Sequence, residues 1–222
     1  MTFNGFHENA TDFFFELSCN NSREWFAEHK EIFENEINKP MKALTADTLA
    51  LMQARFPEWK WNSHVSRIYR DSRRLYGRPP YNDHLWFTVF PADTGNDGPV
   101  FWFEISALSM GYGFGTWSTR ADSMAAFRKC IDDKPGEFEK IAKKTEGLKY
   151  MKMTGEPYKK PKLVRGNIID NWYNMKWVGA EHYCAPEESC DPQLPEKLAA
   201  AFSDLMPMYG FCIKAYRRSK AE

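Results

Sequence analysis

The sequence predicts an α+β fold in which an antiparallel sheet from the central third packs against N-terminal and C-terminal helices. Apolar residues recur at helical spacing through residues 1–60, and the period changes to two through residues 61–118. Helical patterns return in residues 119–222, where a long basic loop interrupts them. A chain of 222 residues fits one domain spanning residues 1–222.

The first 60 residues predict consecutive helices. The stretch NNSREWF indicates a helix start, with Asn21 as the N-cap and Glu24 three residues later completing a capping box. Pro40 suits the first turn of a further helix. That helix ends near Phe56, because the residue before Pro57 avoids the helical conformation.

The central third predicts strands. Residues 84–90 and 99–107 are rich in β-branched and aromatic residues, and the turn-forming stretch PADTGNDG between them predicts an antiparallel hairpin. The stretch MGYGFGTW predicts another strand, with glycine at every second position. Such a strand lacks side chains on one face, so either a helix or aromatic ring, or a ligand, can pack closely there.

The last part of the chain predicts helices over STRADSMAAFRKCID and KPGEFEKIAKKTEG. The basic, proline-interrupted residues 148–170 indicate a long loop or an edge segment. NWYNMKWVGAEHY reads as a strand, and LPEKLAAAFSDLMPMYGF as an amphipathic helix.

Composition narrows the function classes. Thirty Lys and Arg residues balance 30 Asp and Glu residues, which argues against broad nucleic-acid binding. Five cysteines, an odd number without a C-x-x-C pair, predict reduced thiols and a cytoplasmic protein. The N-terminus lacks a signal-peptide pattern, and we expect no membrane span. His182, Cys184 and Cys190 match no zinc spacing, so neither a metal nor a cofactor is expected.

The stretch RIYRDSRRLYGRPPYNDH, residues 67–84, is the strongest candidate site. Planar guanidinium donors on a loop stiffened by two prolines suit bidentate binding of phosphate or carboxylate. The predicted ligand-binding residues are Arg67, Arg70, Arg73, Arg74, Tyr81 and His84. The candidates for proton transfer are Asp71, His84 and Glu104.

Position along the strand divides these arginines. Arg67 lies within the predicted strand, so we expect it to pair with Glu104, the acid embedded among aromatic residues of a neighbouring strand. Arg70 and Arg73 lie where the strand gives way to a loop, and we expect both to face a cleft and bind an anion.

Two hypotheses of different classes follow. The first is a cytoplasmic enzyme or binding protein for a small anionic ligand held by the arginines. The alternative is a non-catalytic protein-interaction module with the arginines in a structural salt-bridge network. A concave pocket in which arginines and Glu104 converge would favour the first, and a flat, fully paired arginine layer the second. A nucleic-acid role would need Lys159, Lys160, Lys162 and Arg165 to extend the arginine surface.

The same stretches resemble a known family. GFHENATDFFFEL followed by NNSREWF looks like its opening, and RIYRDSRRLYGRPPYNDH is similar to its central motif, an R-x-x-R-D-x-R segment followed by Pro-Tyr-Lys. GYGFGTW and MAAFRKCID resemble its later strand and helix. It is a conserved hypothetical family of unknown function, found in bacteria and fungi. The resemblance covers most of the chain and implies one continuous domain without supplying a reaction. The chain departs at Arg74-Leu75, where phenylalanine is usual, and at Asn82, where lysine is common.

Overall fold

The computed structural model describes residues 2–117 and 120–221, with the side chain of Arg74 outside the description. One six-stranded antiparallel sheet, in the order β1-β2-β3-β4-β6-β5, forms its centre. The strands are β1 (Trp61–Val65), β2 (His84–Pro91), β3 (Val100–Ser106), β4 (Met110–Gly115), β5 (Lys152–Pro157) and β6 (Met175–Cys184). The predicted α+β class is therefore confirmed.

Helices occupy both ends of the chain, as the apolar spacing predicts. The N-terminal helices are α1 (Asn9–Cys19), α2 (Arg23–Ile32) and α3 (Lys39–Arg55), with a π-helical segment (Phe33–Asn38) joining the last two. The later helices are α4 (Ala121–Asp133), α5 (Pro135–Glu146), α6 (Ile169–Tyr173) and α7 (Leu194–Ala221). No described helix is long and apolar enough to cross a membrane. All five cysteines are free thiols.

The sheet extends beyond the central third. Residues 119–222, described from the sequence as helices with a long basic loop, also contribute two strands. β5 lies inside the basic segment that was predicted as a loop or an edge segment, and β6 covers most of the predicted strand NWYNMKWVGAEHY. β6 pairs with β4 in full register from Met110 opposite Cys184 to Gly115 opposite Gly179. This pairing satisfies backbone groups of β4 that would otherwise form an exposed edge.

One face of the sheet holds the core. Leu85 and Phe87 are fully buried, and the Phe101 ring lies 3.9 Å from the Tyr209 ring and 4.6 Å from the Phe202 ring of α7. Side chains on a strand alternate between faces, so the neighbouring residues of β2 and β3 point to the opposite side. We call that opposite side the open face.

The register assigns the side chains of the open face. Directly opposed residues of neighbouring strands share one face, so a transverse row across β2, β3, β4 and β6 can be read from the pairing. One row consists of Trp86, Glu104, Gly111 and Tyr183, and the next of Thr88, Trp102, Gly113 and Glu181. Aromatic and acidic side chains therefore surround a strip of glycine.

Candidate functional site

Arg70 is the anchor of residues 67–84, which we call the arginine strand-loop. Its Nε donates to Asn82 Oδ1 at 3.0 Å and its Nη1 to the Pro79 carbonyl oxygen at 3.1 Å. Its Nη2 lies 3.8 Å from Asp83 Oδ1, and the side chain is only 19% exposed. Arg70 thus joins both ends of the loop that the two prolines stiffen.

Arg73 is engaged locally with Asp71. The Asp71 carboxylate accepts from the Arg73 backbone N–H and Nε at Oδ1 and from Nη2 at Oδ2, at 3.0–3.1 Å. Asp71 caps the 3-10 turn Ser72–Arg74, and the Arg73 side chain is 87% exposed. The predicted proton-transfer candidate Asp71 is therefore occupied as a cap and an ion-pair partner.

The remaining arginines differ in position. Arg67 follows the end of β1 and is exposed. Arg78 Nε donates to the Leu75 carbonyl oxygen at 3.3 Å. The predicted ligand role of Arg74 falls on a side chain outside the described residues. The arginine side chains that the structure describes thus do not converge as a group, although Arg70 and Arg73 each hold part of the strand-loop in place.

Tyr81 docks the arginine strand-loop onto α2. The side chain of Asn21 donates to the Tyr81 carbonyl oxygen and accepts from the Tyr81 N–H, at 3.1 and 3.0 Å. The Tyr81 ring stacks on Phe26 with centroids 4.2 Å apart. Asn21 was the predicted N-cap, which is wrong: Ser22 Oγ accepts from the Trp25 N–H instead, because the Asn21 amide is committed to Tyr81.

A cavity beside this contact holds two arginines. Its volume is about 410 Å³, and Arg23 at the start of α2 lines it together with Arg70. Arg73 is not among its lining residues. The other residues that line the cavity are Tyr69, Ser72, Leu75, Pro80 and Tyr81. We call this space the Arg23 cavity.

A chain of polar contacts leads from Arg70 to the open face. Asp83, which Arg70 approaches, lies 2.9 Å from His84 Nδ1, and His84 Nε2 lies 3.8 Å from Glu104 Oε2. The hydrogen bond from His84 lowers the pKa of the Asp83 carboxyl. An imidazole held at one nitrogen by a carboxylate presents its other nitrogen in a set direction, here toward Glu104.

His84 and Glu104 open onto a concave site on the open face, which we call the aromatic cleft. Its volume is about 390 Å³. The other residues that line it are Trp86, Thr88, Asn96, Val100, Trp102, Trp117, Glu181 and Tyr183. No arginine or lysine is among these lining residues. The cleft is therefore aromatic and acidic, unlike the basic strand-loop beside it.

The glycines of β4 make room for two rings of the cleft. A Cβ atom at Gly111 would lie 2.4 Å from the Tyr183 ring, and one at Gly115 would lie 2.6 Å from the Trp117 ring. Of the two predicted explanations for the glycine strand, close packing of aromatic rings is confirmed at these positions. The packed rings are themselves walls of the cleft.

The cleft contains one polar group without a partner and two carboxyl groups whose pKa values are raised. Burial raises the pKa of Glu104, partly offset by the nearby His84, and burial also raises the pKa of Glu181. Trp102 is only 5% exposed, and its indole Nε1 has no hydrogen-bond partner among the residues that the structure describes. A buried donor without a partner costs about 1–3 kcal/mol, so such groups call for an explanation.

The structure overturns one predicted pairing. Arg67 does not face Glu104, because β1 ends at Val65 and the exposed Arg67 lies past the sheet. The group that faces Glu104 is His84 of the adjacent strand β2, two residues before Trp86, the residue that pairs with Glu104. Two of the three predicted proton-transfer candidates therefore meet, with a histidine in place of the expected arginine.

Sequence reasoning missed most of the cleft lining. Trp86 and Trp102 are recognisable as alternating aromatic residues on the predicted hairpin, but their open-face position follows only from the register. Glu181 and Tyr183 come from β6, which begins about 70 residues after β3 ends, and no local pattern connects them with Glu104.

The described residues contain no cluster of three or more side chains suited to holding a metal ion. A family model described as a conserved hypothetical protein, DUF2461, matches residues 9–211. That span is most of the chain, so the protein belongs to this family, and the predicted resemblance to a conserved hypothetical family of unknown function is confirmed. No curated protein matches the sequence.

Proposed function

We propose that this DUF2461 protein binds a hydroxylated ring compound of the carbohydrate class in the aromatic cleft. The unpartnered indole N–H of Trp102, a residue that lines the cleft together with Glu104 and Glu181, carries the proposal. This N–H is closed to solvent in the free protein, so a ligand would reach it by a turn of the indole ring toward the cleft. A ligand that satisfies this set must accept from the indole and donate to the carboxylates. A hydroxyl group does both, since it has one donor hydrogen and two acceptor lone pairs.

Other ligand classes satisfy the cleft less well. An ammonium ion suits carboxylates and aromatic rings, but it has no acceptor for the Trp102 N–H. An anion would meet Glu104 and Glu181 as like charges. A wholly apolar ligand would desolvate all three polar groups without compensation. The concave shape, with few polar groups among apolar walls, favours a small ligand over the flat surface of a protein partner.

His84 adds a positioned proton-transfer group to this proposal. Its Nδ1 is held by Asp83, and its Nε2 faces Glu104 at the wall of the cleft. A ring bound against Glu104 would lie within reach of an acid or base whose direction is already set. Asp83 and Arg70 would then be positioning residues, because they act through His84.

Calorimetric titration with a panel of monosaccharides and their deoxy analogues tests the proposal. We expect binding of at least one sugar, and a loss of about tenfold or more in affinity for Trp102→Phe, which keeps an aromatic ring and removes the N–H. Trp59→Phe is the matched control, since Trp59 lines a different cavity. A deoxy analogue that lacks the bonded hydroxyl should also bind more weakly.

Two results would contradict the proposal. One is the absence of binding by every sugar of the panel at millimolar concentration. The other is equal affinity of the wild type, Trp102→Phe and Trp59→Phe, which would place the bound sugar outside the aromatic cleft.

The predicted small anionic ligand remains a second candidate function, at the Arg23 cavity. The observation that favours it is the presence of Arg23 and Arg70 in the lining of one cavity, beside the hydroxyl-bearing side chains of Tyr69 and Ser72. Arg70 already uses Nε and Nη1 within the strand-loop, so an anion would meet a guanidinium held in a set orientation. The alternative of a protein-interaction module stays a hypothesis.

Thermal-shift measurements with phosphate, sulfate and citrate test whether the Arg23 cavity binds an anion. If the cavity binds an anion, the melting temperature should rise with anion concentration, since a ligand specific to the folded state stabilises it. Arg23→Gln should abolish the rise, whereas Arg73→Gln should preserve it. A rise that is the same in all three proteins would reflect a general salt effect and contradict an anion site.

A further inference from the structure

The aromatic cleft has a neighbour that shares one wall with it. A second cavity of about 440 Å³, which we call the apolar depression, is also lined by His84 and Glu104. Phe14 and Phe15 of α1 and Leu108 of the turn between β3 and β4 form much of its remaining surface. Two cavities that share this pair of side chains lie next to each other, and we call them together the groove.

The two halves of this groove differ in chemistry. The aromatic cleft is lined by tryptophan and tyrosine rings with Glu104 and Glu181. The apolar depression, whose lining also includes Asp83, Ser18 and Ser106, adds large exposed hydrocarbon side chains. Leu108 is 84% exposed and Phe15 is 59% exposed, in contrast to the buried Phe14 next to it. Exposed apolar residues that lie together beside a binding site often bind an apolar part of a ligand.

We propose that the apolar depression binds an apolar substituent of the ligand whose hydroxylated ring lies in the aromatic cleft. This inference rests on the proposed carbohydrate binding. The ligand class is then a glycoside with an alkyl or aryl group, and the linkage between its two parts lies beside His84 and Glu104. The shared wall supports this order, because a ligand that extends from one cavity into the other must pass these two residues.

The inference is tested by measuring affinity as a function of the length of the alkyl substituent. Methyl, butyl and hexyl glycosides of the sugar that binds best are titrated below their micellar concentrations. In the wild type, we expect the hexyl glycoside to bind at least about tenfold more tightly than the methyl glycoside, since each buried methylene contributes about 0.8 kcal/mol. The free sugar sets the reference affinity of the aromatic cleft.

Substitutions in the turn and in α1 assign this gain to the apolar depression. Leu108→Asp and Phe15→Ser should remove most of the gain and leave affinity for the methyl glycoside within about twofold, because both side chains are exposed and line only the depression. The control is Val164→Asp, which changes a similarly exposed apolar residue that is absent from the lining of both cavities.

The outcomes distinguish this inference from the proposed function. If the methyl glycoside binds and a longer chain adds nothing, or if the gain persists in Leu108→Asp and Phe15→Ser, the apolar subsite is wrong and carbohydrate binding stands. If no free sugar binds, the proposed function fails, and the apolar subsite, which rests on it, fails with it.

Discussion

The arginine strand-loop and the aromatic cleft meet at His84, but they differ in whether their polar side chains have hydrogen-bond partners. In the strand-loop, Arg70 binds Asn82 and the Pro79 carbonyl, and Arg73 binds Asp71. The cleft carries fewer charges, yet Trp102 lacks a partner among the described residues. The comparison teaches that a high density of charged residues does not by itself leave groups free for a ligand, since internal partners can satisfy those charges.

The chemistry of the two regions accounts for this difference. Guanidinium groups carry several donors and reach nearby carbonyl and carboxylate groups of their own loop. The pleat sets the direction of side chains in the middle of a sheet. An indole or carboxylate there can therefore reach few hydrogen-bond partners. Unsatisfied groups therefore persist more readily on the open face than on the loop.

The largest expected effect is on the docking of the strand-loop. Tyr81→Ala removes a ring that is 4% exposed and stacked on Phe26, so we expect unfolding free energy to fall by about 3–5 kcal/mol. Tyr76→Ala, at a side chain 86% exposed in the same loop, should change it by less than about 0.5 kcal/mol. Urea unfolding measures both. A loss below about 1 kcal/mol for Tyr81→Ala would show that the loop is not anchored by this ring.

An intermediate effect separates two arginines of the strand-loop. Arg70→Ala breaks two charge-assisted hydrogen bonds of a largely buried side chain, so we expect a loss of about 1.5–3 kcal/mol. Arg73→Ala removes an exposed ion pair and should cost less than about 1 kcal/mol. Chemical denaturation of the two variants in parallel is the test. Similar losses would mean that Arg70 has no special structural role and would weaken the contrast with the cleft.

The smallest expected effect concerns pH and the cleft. Burial raises the folded-state pKa of Glu104, so the folded protein binds this proton more tightly than the unfolded chain does. Its contribution to stability is therefore present below the ordinary value of 4.5 and is lost as pH rises through the raised pKa. His84 and Asp83 face the same carboxyl with opposing effects, so the comparison is made between variants.

Glu104→Gln should accordingly gain stability relative to the wild type as the pH rises from 4 to 7. Melting temperatures of the two proteins across this range, with the exposed Glu58→Gln as the control, provide the measurement. A difference between Glu104→Gln and the wild type that stays constant with pH would show that the Glu104 carboxyl is well satisfied in the free protein.

Much of the fold could be predicted from the sequence because the signals are local. Helical spacing marks the first 60 residues, and the period of two with an intervening turn marks β2 and β3. The edge strand β5 could not be assigned with the same ease, since its basic, proline-interrupted sequence is also typical of a loop. Of the candidate site, His84 and Glu104 were predicted individually, while their mutual contact was not.

The sequence by itself determined the α+β class, the family, and the regions from which His84 and Glu104 come, because amphipathic periods and motifs are properties of neighbouring residues. Only the tertiary structure decided that β6 pairs with β4 and so adds Glu181 and Tyr183 to the cleft. It also decided that Arg70 and Arg73 bind groups of their own loop. The physical reason is that polar groups and strand edges find their partners by proximity in the folded protein. These partners often come from segments far apart in sequence, and no local sequence pattern records which segments will meet.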